Sequence, residues 1–294
     1  MLTSQEKPIP DKFPTSDTSL MMQISDKEFE LIRTLVYDQF GINLTEQKRS
    51  LVVGRLQKYL KSAGFDSFRS YYNYLTSDPT TQSLTDLINK ISTNYSFFYR
   101  EKAHFDFFVQ TALPETLKKL KSCNSNNLRI WTAGCSTGEE PYMLEMLMTH
   151  HLGLEYSAWD AGVLATDISE RVLNFAMDGI YPEERTNQVP ASLKQKYFTL
   201  AGDGNMAVVE KIKKGVTFRR LNLMNRTFPF KKPFQMIFCR NVMIYFDKPT
   251  RDELVRRFHS NLIPGGYLFV GHSETLGRDQ NLFQYLMPAT YMKI

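Results

Sequence analysis

Glycine and acidic side chains follow two apolar runs of the sequence, at positions where they could contact a ligand. The run NLRIWTAG leads into CSTGEEPYM, where Gly134 and Gly138 would let the backbone pass close to a bound molecule. Glu139 and Glu140 follow at a predicted helix start, and two carboxylates there would repel a pyrophosphate, so a cationic or neutral ligand suits the turn better. The next run ends at Asp167, which could accept hydrogen bonds from both hydroxyls of a ribose or, alternatively, cap the following helix.

Two later apolar runs also end in polar side chains that could face the same ligand. One ends at Asn222-Leu223, and the Asn222 amide could accept a hydrogen bond from an adenine amino group, although Asn is also common in turns. The other continues into CRNVMIYFDKP, which places Arg240 and Asn241 just beyond the apolar residues. Tyr245 comes one helical turn after Asn241 and could face the same opening.

The stretch STNYSFFYRE, residues 92 to 101, threads Asn94, Ser96 and Arg100 among four aromatic residues. An arginine is costly to bury without a partner, so its presence needs an explanation. One explanation is a helix edge from which the guanidinium reaches water. The other is a polar pocket that aromatic neighbours hold in shape.

The elements that must position these side chains change character along the chain. Residues 26 to 91 carry apolar residues at helical spacing; one helix stops at Gly41, and Thr45 is predicted to cap the next, which ends near Gly64. After residue 125, short apolar runs alternate with helical segments, which predicts a mostly parallel sheet covered on both faces. Ligands of such sheets bind at the carboxyl ends of the strands, where the side chains above lie.

One connection is too long for a single crossover helix. Residues Asp167 and Asn222 are separated by 54 residues, and within them YFTL and MAVVE flank AGDGN. This pattern predicts a hairpin with a Gly-Asp-Gly turn and therefore a small β insertion at about residues 185–216.

Composition limits the classes of protein that remain. With 294 residues, 42% hydrophobic and 23% charged, the chain is predicted to be a soluble protein of two domains, without an apolar segment long enough to span a membrane. Residues 1–22 are predicted to be a disordered tail. Cys123, Cys135 and Cys239 are widely spaced without a CxxC, which favours reduced cytosolic thiols and no metal; His272, which follows the last apolar run, is expected to be structural. The net charge of +5 does not by itself indicate nucleic acid.

A glycine turn with acidic neighbours, a ribose-type Asp167 and a Pro-Gly-Gly turn before a late strand together resemble class I S-adenosylmethionine (SAM)-dependent methyltransferases. SAM carries a sulfonium and an ammonium but no phosphate, which explains the carboxylates. The segments TNYSFFYRE, GCSTGEEPY, ATDIS, FCRNVMIYF and GHSE, in this order, narrow the resemblance to the chemotaxis receptor methyltransferase family, CheR. The resemblance implies a small all-α N-terminal domain, residues 23–91, followed by a Rossmann-like α/β domain with a β-subdomain insertion, residues 92–294.

The resemblance also implies an activity and a set of site residues. Members of the family are protein-glutamate O-methyltransferases that act on cytoplasmic helices of chemoreceptors, need no metal and release S-adenosylhomocysteine. Arg100 and Tyr245 are implied to lie nearest the transferred methyl group. The implied cofactor contacts are Asn94, Ser96, Arg100, Glu140, Asp167, Asn222, Leu223, Arg240 and Asn241.

Two surfaces are predicted to contact the receptor. Lys48, Arg55, Lys58 and Lys61 fall along one side of the second helix; this is either a solvated basic face or, as the resemblance implies, a docking surface for acidic receptor helices. Some family members bind a receptor C-terminal peptide by strand addition at the β insertion, and the Gly202-Asp203-Gly204 loop resembles theirs. A three-residue loop leaves this second contact open.

Three alternatives remain at this point. A nucleic-acid or small-molecule methyltransferase is disfavoured because RNVMIYF lacks the proline pair that amino-methylating enzymes use to hold a flipped base. An adaptor that binds SAM without transferring the methyl group is compatible with the sequence. An NAD-dependent dehydrogenase is disfavoured by the glutamates of the glycine turn.

Overall fold

A computed structural model describes residues 22–80, 82–92, 95–276 and 281–294. Except for Met22, the predicted tail at residues 1–22 lies outside the described residues, and so does Asn94. Met22 packs against the core of the N-terminal helices. No helix in the described ranges combines the length and apolar character needed to cross a bilayer.

In the described ranges up to residue 92, the N-terminal part is a unit of four α-helices around its own apolar core. Ser25 and Glu28 form a capping box at the first helix, and Gly41 ends that helix in the left-handed conformation, as predicted. The second helix begins only at Arg49, because residues 46–48 form a 3₁₀ turn and Thr45 makes no side-chain capping bond. The predicted cap at Thr45 is therefore wrong. The four helices are α1 (Asp26–Phe40), α2 (Arg49–Ser62), α3 (Phe68–Ser77) and α4 (Gln82–Ile91).

The rest of the described chain is built on a seven-stranded sheet with the order β6-β2-β1-β7-β8-β10-β9. The first five of these strands pair in parallel, and β10 pairs antiparallel with β8 and β9. The strands are β1 (Asn127–Ala133), β2 (Asp160–Asp167), β6 (Val216–Arg220), β7 (Phe234–Cys239), β8 (Leu262–Val270), β9 (Phe283–Met287) and β10 (Thr290–Lys293). The prediction of a mostly parallel sheet is confirmed.

Helices cover both faces of this sheet, which is why its strands read as continuous apolar runs. Ile130 and Phe238 belong to the core on one face, whereas their neighbours Trp131 and Ile237 belong to the core on the other face. The covering helices are α5 (Lys102–Phe107), which continues through a π-helical segment into α6 (Leu113–Ser122), then α7 (Glu139–Leu152), α8 (Glu170–Asp178), α9 (Ala191–Tyr197), α10 (Glu210–Lys213) and α11 (Lys248–Asn261).

A second, three-stranded sheet lies in the long connection, with the order β3-β5-β4. Its strands β4 (Phe198–Leu200) and β5 (Asn205–Val208) form the expected antiparallel pair around the Gly-Asp-Gly turn, whose three residues all have positive φ. Strand β3 (Ile180–Pro182) begins upstream of the predicted limit of about residue 185. This strand is short and ends in a proline, so its sequence carries no strand signal.

The helical unit reaches the carboxyl ends of the parallel strands. Ile42 forms an antiparallel bridge with Phe246, and the Asn43 amide donates to the carbonyl of Tyr245 at 2.8 Å. The hydroxyl of Tyr37 donates to Asp247 at 3.0 Å. These contacts place the segment after α1 beside the edge of the sheet where a ligand would bind.

Helix α7 buries a carboxyl group, Glu145, beneath the sheet. It accepts hydrogen bonds from Thr149 and Tyr156, and burial raises its pKa to about 7. The folded protein therefore binds a proton more tightly than the unfolded chain, and stability should fall as the pH rises from about 4.5 to about 7.

We expect Glu145→Gln to remove this pH dependence. Relative to the original protein, the free energy of unfolding of the variant should increase by about 3 kcal/mol between pH 4 and pH 8. Denaturant unfolding at both pH values checks this, with the exposed Glu184→Gln as control. An equal effect of both substitutions would contradict a proton held by Glu145.

Candidate functional site

A cavity of about 400 Å³, here called the strand-end cavity, opens at the carboxyl ends of the parallel strands. This volume lies within the range of small-molecule sites. The side chains predicted from the sequence and described by the structure all line it: Ser96, Arg100, Glu140, Asp167, Asn222, Leu223, Arg240, Asn241 and Tyr245.

The glycine turn after β1 forms one wall of the cavity. Gly134 has a φ of +82°, and a Cβ atom there would lie 2.4 Å from the Val242 side chain. Gly138 has a φ of +92°, and its Cβ would meet Ala176 at 2.7 Å. Both glycines are thus required by packing within the protein as well as by the turn.

Asp167 lies at the end of β2 and is not the cap of the next helix. Its Oδ2 accepts from the Ser136 amide at 2.9 Å and its Oδ1 from the Ser169 amide at 3.0 Å. The cap of α8 is Ser169, whose side chain accepts from Val172. Burial raises the pKa of Asp167, although the backbone donors oppose the rise. Each carboxylate oxygen keeps a second lone pair, so the pair can still accept from two hydroxyls.

The two glutamates at the start of α7 have different surroundings. Glu139 is fully buried and pairs with Arg185 at 2.8 Å, outside the lining of the cavity. Glu140 lines the cavity, and its Oε2 lies 2.6 Å from Arg240 Nη1. Glu140, the glutamate that is expected to contact the cofactor, is thus the one that lies in the cavity wall.

Arg240 is the centre of a buried charge network. Its side chain is 3% exposed, pairs with Glu140 and with Glu101 at 3.1 Å, and donates to the carbonyl of Arg100. Burial alone would raise the pKa of Glu101, but the Arg240 guanidinium and the contacts with His272 together outweigh burial and lower that pKa. Burial raises the pKa of Glu140, since the same guanidinium offsets only part of the desolvation.

Glu101 is a residue that the sequence analysis missed. Besides Arg240, it contacts the side-chain amide of Asn241 and the backbone amide of His272, each at 3.3 Å. Its φ of +58° is unusual for a glutamate. In the sequence, only the position of Glu101 next to Arg100 in an aromatic stretch indicated a role. That position does not predict its contacts with residues that are distant in the sequence.

Glu274 is the second missed residue. It is buried and accepts hydrogen bonds from the backbone amides of Gly271, Asn241 and Ile244. Burial raises its pKa, and these donors partly offset the rise. Glu274 thereby fixes the loop after β7, in which Asn241 adopts a φ of +60°. The GHSE segment was noticed in the sequence, but this role was not.

Asn222 joins the cavity to the helical unit. Its amide nitrogen donates to the carbonyl of Gln39 at 2.8 Å, and its Oδ1 accepts from the Met224 amide at 2.9 Å. The oxygen keeps one lone pair for a further donor. Leu223 is buried and lines the same wall.

Of the aromatic residues around Arg100, some are buried in the core and others are exposed. Phe98 packs against Tyr181 and Phe198, whereas Tyr95 is 64% exposed. Arg100 Nη1 donates to the carbonyl of Tyr95 at 3.1 Å, and its side chain lines the cavity together with Tyr245. The polar-pocket interpretation of this stretch is the one that agrees with the structure.

Comparison with known proteins identifies the family. The "CheR methyltransferase, all-alpha domain" model matches residues 27–92, and the "CheR methyltransferase, SAM binding domain" model matches residues 94–292. The chain belongs to the CheR family. It is 45% identical to the chemotaxis protein methyltransferase of Borreliella burgdorferi, covering 94% of this chain and 97% of that protein. It is 37% identical to that of Escherichia coli K12, with 92% and 94% covered.

CheR membership makes this chain a methyltransferase with a Rossmann-like SAM-binding domain behind an all-α domain. The family resemblance and the fold class predicted from the sequence are therefore confirmed. The strand-end cavity lies within the part of the chain that matches the SAM-binding domain, apart from Phe40, Ile42, Ile88 and Ser92, which the helical unit contributes.

The basic residues of the helical unit divide into two pairs. Lys58 and Lys61 are exposed on α2. Lys48 precedes α2 rather than lying on it, and its ammonium lies 5.9 Å from the ring centroid of Tyr245. Arg55 is partly buried and donates to the carbonyl of Ile91. Basic side chains thus extend from the neighbourhood of Tyr245, which lines the cavity, to the outer surface.

We expect Asp167→Asn to weaken binding of S-adenosylhomocysteine by about 5- to 150-fold, the equivalent of 1–3 kcal/mol for a polar group left without its partner. Calorimetry measures the dissociation constant directly. Asp178→Asn, at the exposed end of α8, is the matched control. If both variants bind as the original protein does, Asp167 serves only to hold the Ser136 and Ser169 amides.

Proposed function

We propose that this CheR-family methyltransferase transfers the methyl group of SAM to glutamate side chains of chemoreceptors in the cytoplasm. The products are glutamate methyl esters and S-adenosylhomocysteine. The observation that carries the proposal is the convergence of Arg100 and Tyr245 on a cavity that also holds Asp167 and Glu140. The named relatives are chemotaxis protein methyltransferases, which supports a chemoreceptor substrate.

The residues around the cavity fit SAM in their chemistry. Asp167 offers two oxygens to a ribose, and Asn222 Oδ1 keeps a lone pair for an adenine amino group. Glu140 is an acidic side chain in the wall, as suits a ligand with an ammonium and a sulfonium. When bound, SAM supplies an electrophilic methyl group on sulfur.

The chain's own task is to position the accepting carboxylate. A glutamate side chain is ionised at neutral pH and loses no proton when it attacks a methyl group, so no general base is needed. Arg100 pairs with the incoming carboxylate through its planar guanidinium and directs one oxygen towards the methyl group. Tyr245 donates a hydrogen bond to the same carboxylate or shapes the path of the methyl group. Alignment of this kind can account for several kcal/mol of barrier reduction.

The deciding experiment is methyl transfer from labelled SAM to membranes that carry the organism's chemoreceptors. Alkali releases methanol from a glutamyl ester but leaves N-methyl groups in place. Volatile label is expected and would exclude an N-methyltransferase. Tight SAM binding without any transferred label would favour the adaptor alternative instead.

Receptor docking is proposed at α2 and the turn before it. Lys58 and Lys61 extend the basic surface away from Lys48 and Arg55, which line a small pocket that Tyr245 also lines, so an acidic receptor helix could lie along them while its glutamate enters the strand-end cavity. Pairs of exposed charges contribute modestly to affinity, but they speed and orient encounter.

We expect reversal of Lys58 and Lys61 to Glu to slow receptor methylation about tenfold or more at low ionic strength. Binding of S-adenosylhomocysteine should not change. Lys231→Glu with Lys232→Glu makes the same charge change before β7, at the opposite edge of the sheet, and should have little effect. Equal rates for the two double variants would exclude α2 as the docking face.

A second receptor contact is proposed at the β insertion. Strand β4 is an edge of its sheet, and Leu200 on it is 84% exposed, which is compatible with strand addition by a peptide near Gly202-Asp203-Gly204. Calorimetry with a receptor C-terminal peptide and a scrambled peptide tests this contact. Equal heats for both peptides would remove it.

A further inference from the structure

Three potential metal ligands meet behind the wall of the strand-end cavity. Glu101, His104 and His272 each present one ligand atom, and these atoms lie within 4.8 Å of one another. Glu101 precedes α5, His104 lies in its first turn, and His272 follows β8, so the fold brings together residues that are 168 positions apart in the sequence. None of the three lines the cavity itself.

The hydrogen bonding of His104 can leave a lone pair on Nδ1, the ring nitrogen that lies beside Glu101. His104 is fully buried, and its Nε2 lies 3.4 Å from the carbonyl oxygen of Pro288. A carbonyl oxygen can only accept, so a neutral ring that donates to Pro288 carries its proton on Nε2 and leaves Nδ1 bare. Among the described residues Nδ1 has no hydrogen-bond partner, and it lies 3.4 Å from Glu101 Oε2. Two bare acceptors at this distance repel each other, and either a proton on Nδ1 or a metal cation between the two atoms removes the repulsion.

The 3.4 Å between His104 Nδ1 and Glu101 Oε2 matches the distance between two ligand atoms of a tetrahedral metal site. Ligand atoms about 2.0–2.1 Å from a zinc ion lie roughly 3.3–3.4 Å apart in tetrahedral geometry. His272 Nε2 is 3.9 Å from the same Glu101 oxygen, and its side chain is 48% exposed, so a small rotation brings it into range. The exposed side leaves room for a fourth ligand from solvent. A histidine that contacts a backbone carbonyl through its other nitrogen is the usual arrangement behind a metal ligand.

We propose that Glu101, His104 and His272 form a binding site for one divalent transition metal ion of the zinc class. The two imidazoles and one carboxylate suit zinc, cobalt or nickel better than magnesium or calcium. This proposal replaces the expectation of no metal, which rested on cysteine spacing and on the family resemblance.

The metal site shares an oxygen with the Arg240 network. Glu101 Oε2 already pairs with Arg240 at 3.1 Å, and Arg240 also holds Glu140 in the cavity wall. A divalent cation on that oxygen repels the guanidinium and competes for the same negative charge. Metal binding should therefore weaken cofactor binding, and the cofactor should weaken metal binding by the same factor.

The test begins with the metal alone. We expect the full chain to bind one Co²⁺ with the intense visible absorption of a tetrahedral site, and Zn²⁺ to displace it. His272→Ala should lower the affinity at least tenfold without loss of fold, because its side chain is half exposed. The matched control is His150→Ala with His151→Ala, two exposed histidines at the end of α7.

The outcomes separate cleanly. The proposed site would be refuted if the protein bound no metal, or if the original protein and His272→Ala bound it equally. It would also be refuted if the His150/His151 control lost metal binding. The coupling is tested by measuring the dissociation constant of S-adenosylhomocysteine with and without Zn²⁺. Addition of Zn²⁺ should raise this constant several-fold in the original protein but not in His272→Ala. Only this second measurement depends on the proposed function. If the protein binds metal but Zn²⁺ does not change the binding of S-adenosylhomocysteine, the coupling is refuted and the metal site is not.

Discussion

Replacing Arg100 by alanine should lower the turnover number by about 100-fold, while the dissociation constant for S-adenosylhomocysteine changes much less. Arg100 lines the strand-end cavity, and the one described hydrogen bond of its side chain, to the carbonyl of Tyr95, is at a partly exposed position. The guanidinium therefore has donors left for an incoming carboxylate. Without it, the carboxylate enters with the wrong orientation, and the loss falls on the transition state.

Two further variants make this prediction specific. Arg100→Lys keeps the charge but lacks the planar fork, so it should recover only a small part of the lost turnover. Tyr245→Phe removes one hydroxyl and should have a smaller effect than Arg100→Ala. Turnover should be measured with saturating receptor, and cofactor binding by calorimetry. If Arg100→Ala weakened only cofactor binding and turned over normally at saturation, Arg100 would be a cofactor contact and the carboxylate would be oriented by other groups.

The sheet, and the edge of it where the site lies, could be predicted because each strand is indicated by its own short stretch of sequence. Strands β1, β2, β7 and β8 are each short and largely apolar runs, and the first polar side chain after such a run must emerge at the carboxyl edge. For this reason Asp167, Arg240 and Asn241 could be assigned to a common cavity without knowledge of the fold.

The C-terminal strands β9 and β10 were not predicted, because the turn between them contains no residue that is typical of a turn with positive φ. Strand β9 and strand β10 are separated by Pro288 and Ala289, and Ala289 adopts a φ of +60° that sequence analysis assigns to glycine or asparagine. Pairing of β10 with β8 and β9 outweighs the local cost of this conformation. A turn enforced by distant pairing leaves no signal in the turn residues themselves.

The roles of the charged residues were harder to predict than their positions. Arg240 was expected to contact the cofactor, yet most of its described contacts are to Glu101, Glu140 and the carbonyl of Arg100. Glu101 and Glu274 were missed because each acts on backbone or side chains that are far away in the sequence. Residue type and spacing indicate which groups reach the sheet edge, whereas their pairing depends on three-dimensional contacts.

The second large effect is expected at Arg240. Removal of one partner from a buried ion pair typically costs 3–5 kcal/mol, because the other charge stays buried without compensation. Arg240→Met would leave two carboxylates, Glu101 and Glu140, whose side chains are 13% and 16% exposed. We therefore expect the free energy of unfolding to fall by about 3–5 kcal/mol at pH 8. The exposed pair of Arg256 and Glu253 provides the control, and Arg256→Met should cost less than about 1 kcal/mol.

The pH dependence of this loss identifies its cause. Without the guanidinium, the pKa of Glu101 is no longer held below its usual range, and that of Glu140 rises further, since burial then acts unopposed. Protonation then neutralises both carboxylates, so the deficit of Arg240→Met should be smaller at pH 5 than at pH 8. Denaturant unfolding followed by tryptophan fluorescence measures it at both pH values. A deficit that is equal at the two pH values would attribute the loss to packing of the long side chain, and the carboxylates would then need no cation to stay buried.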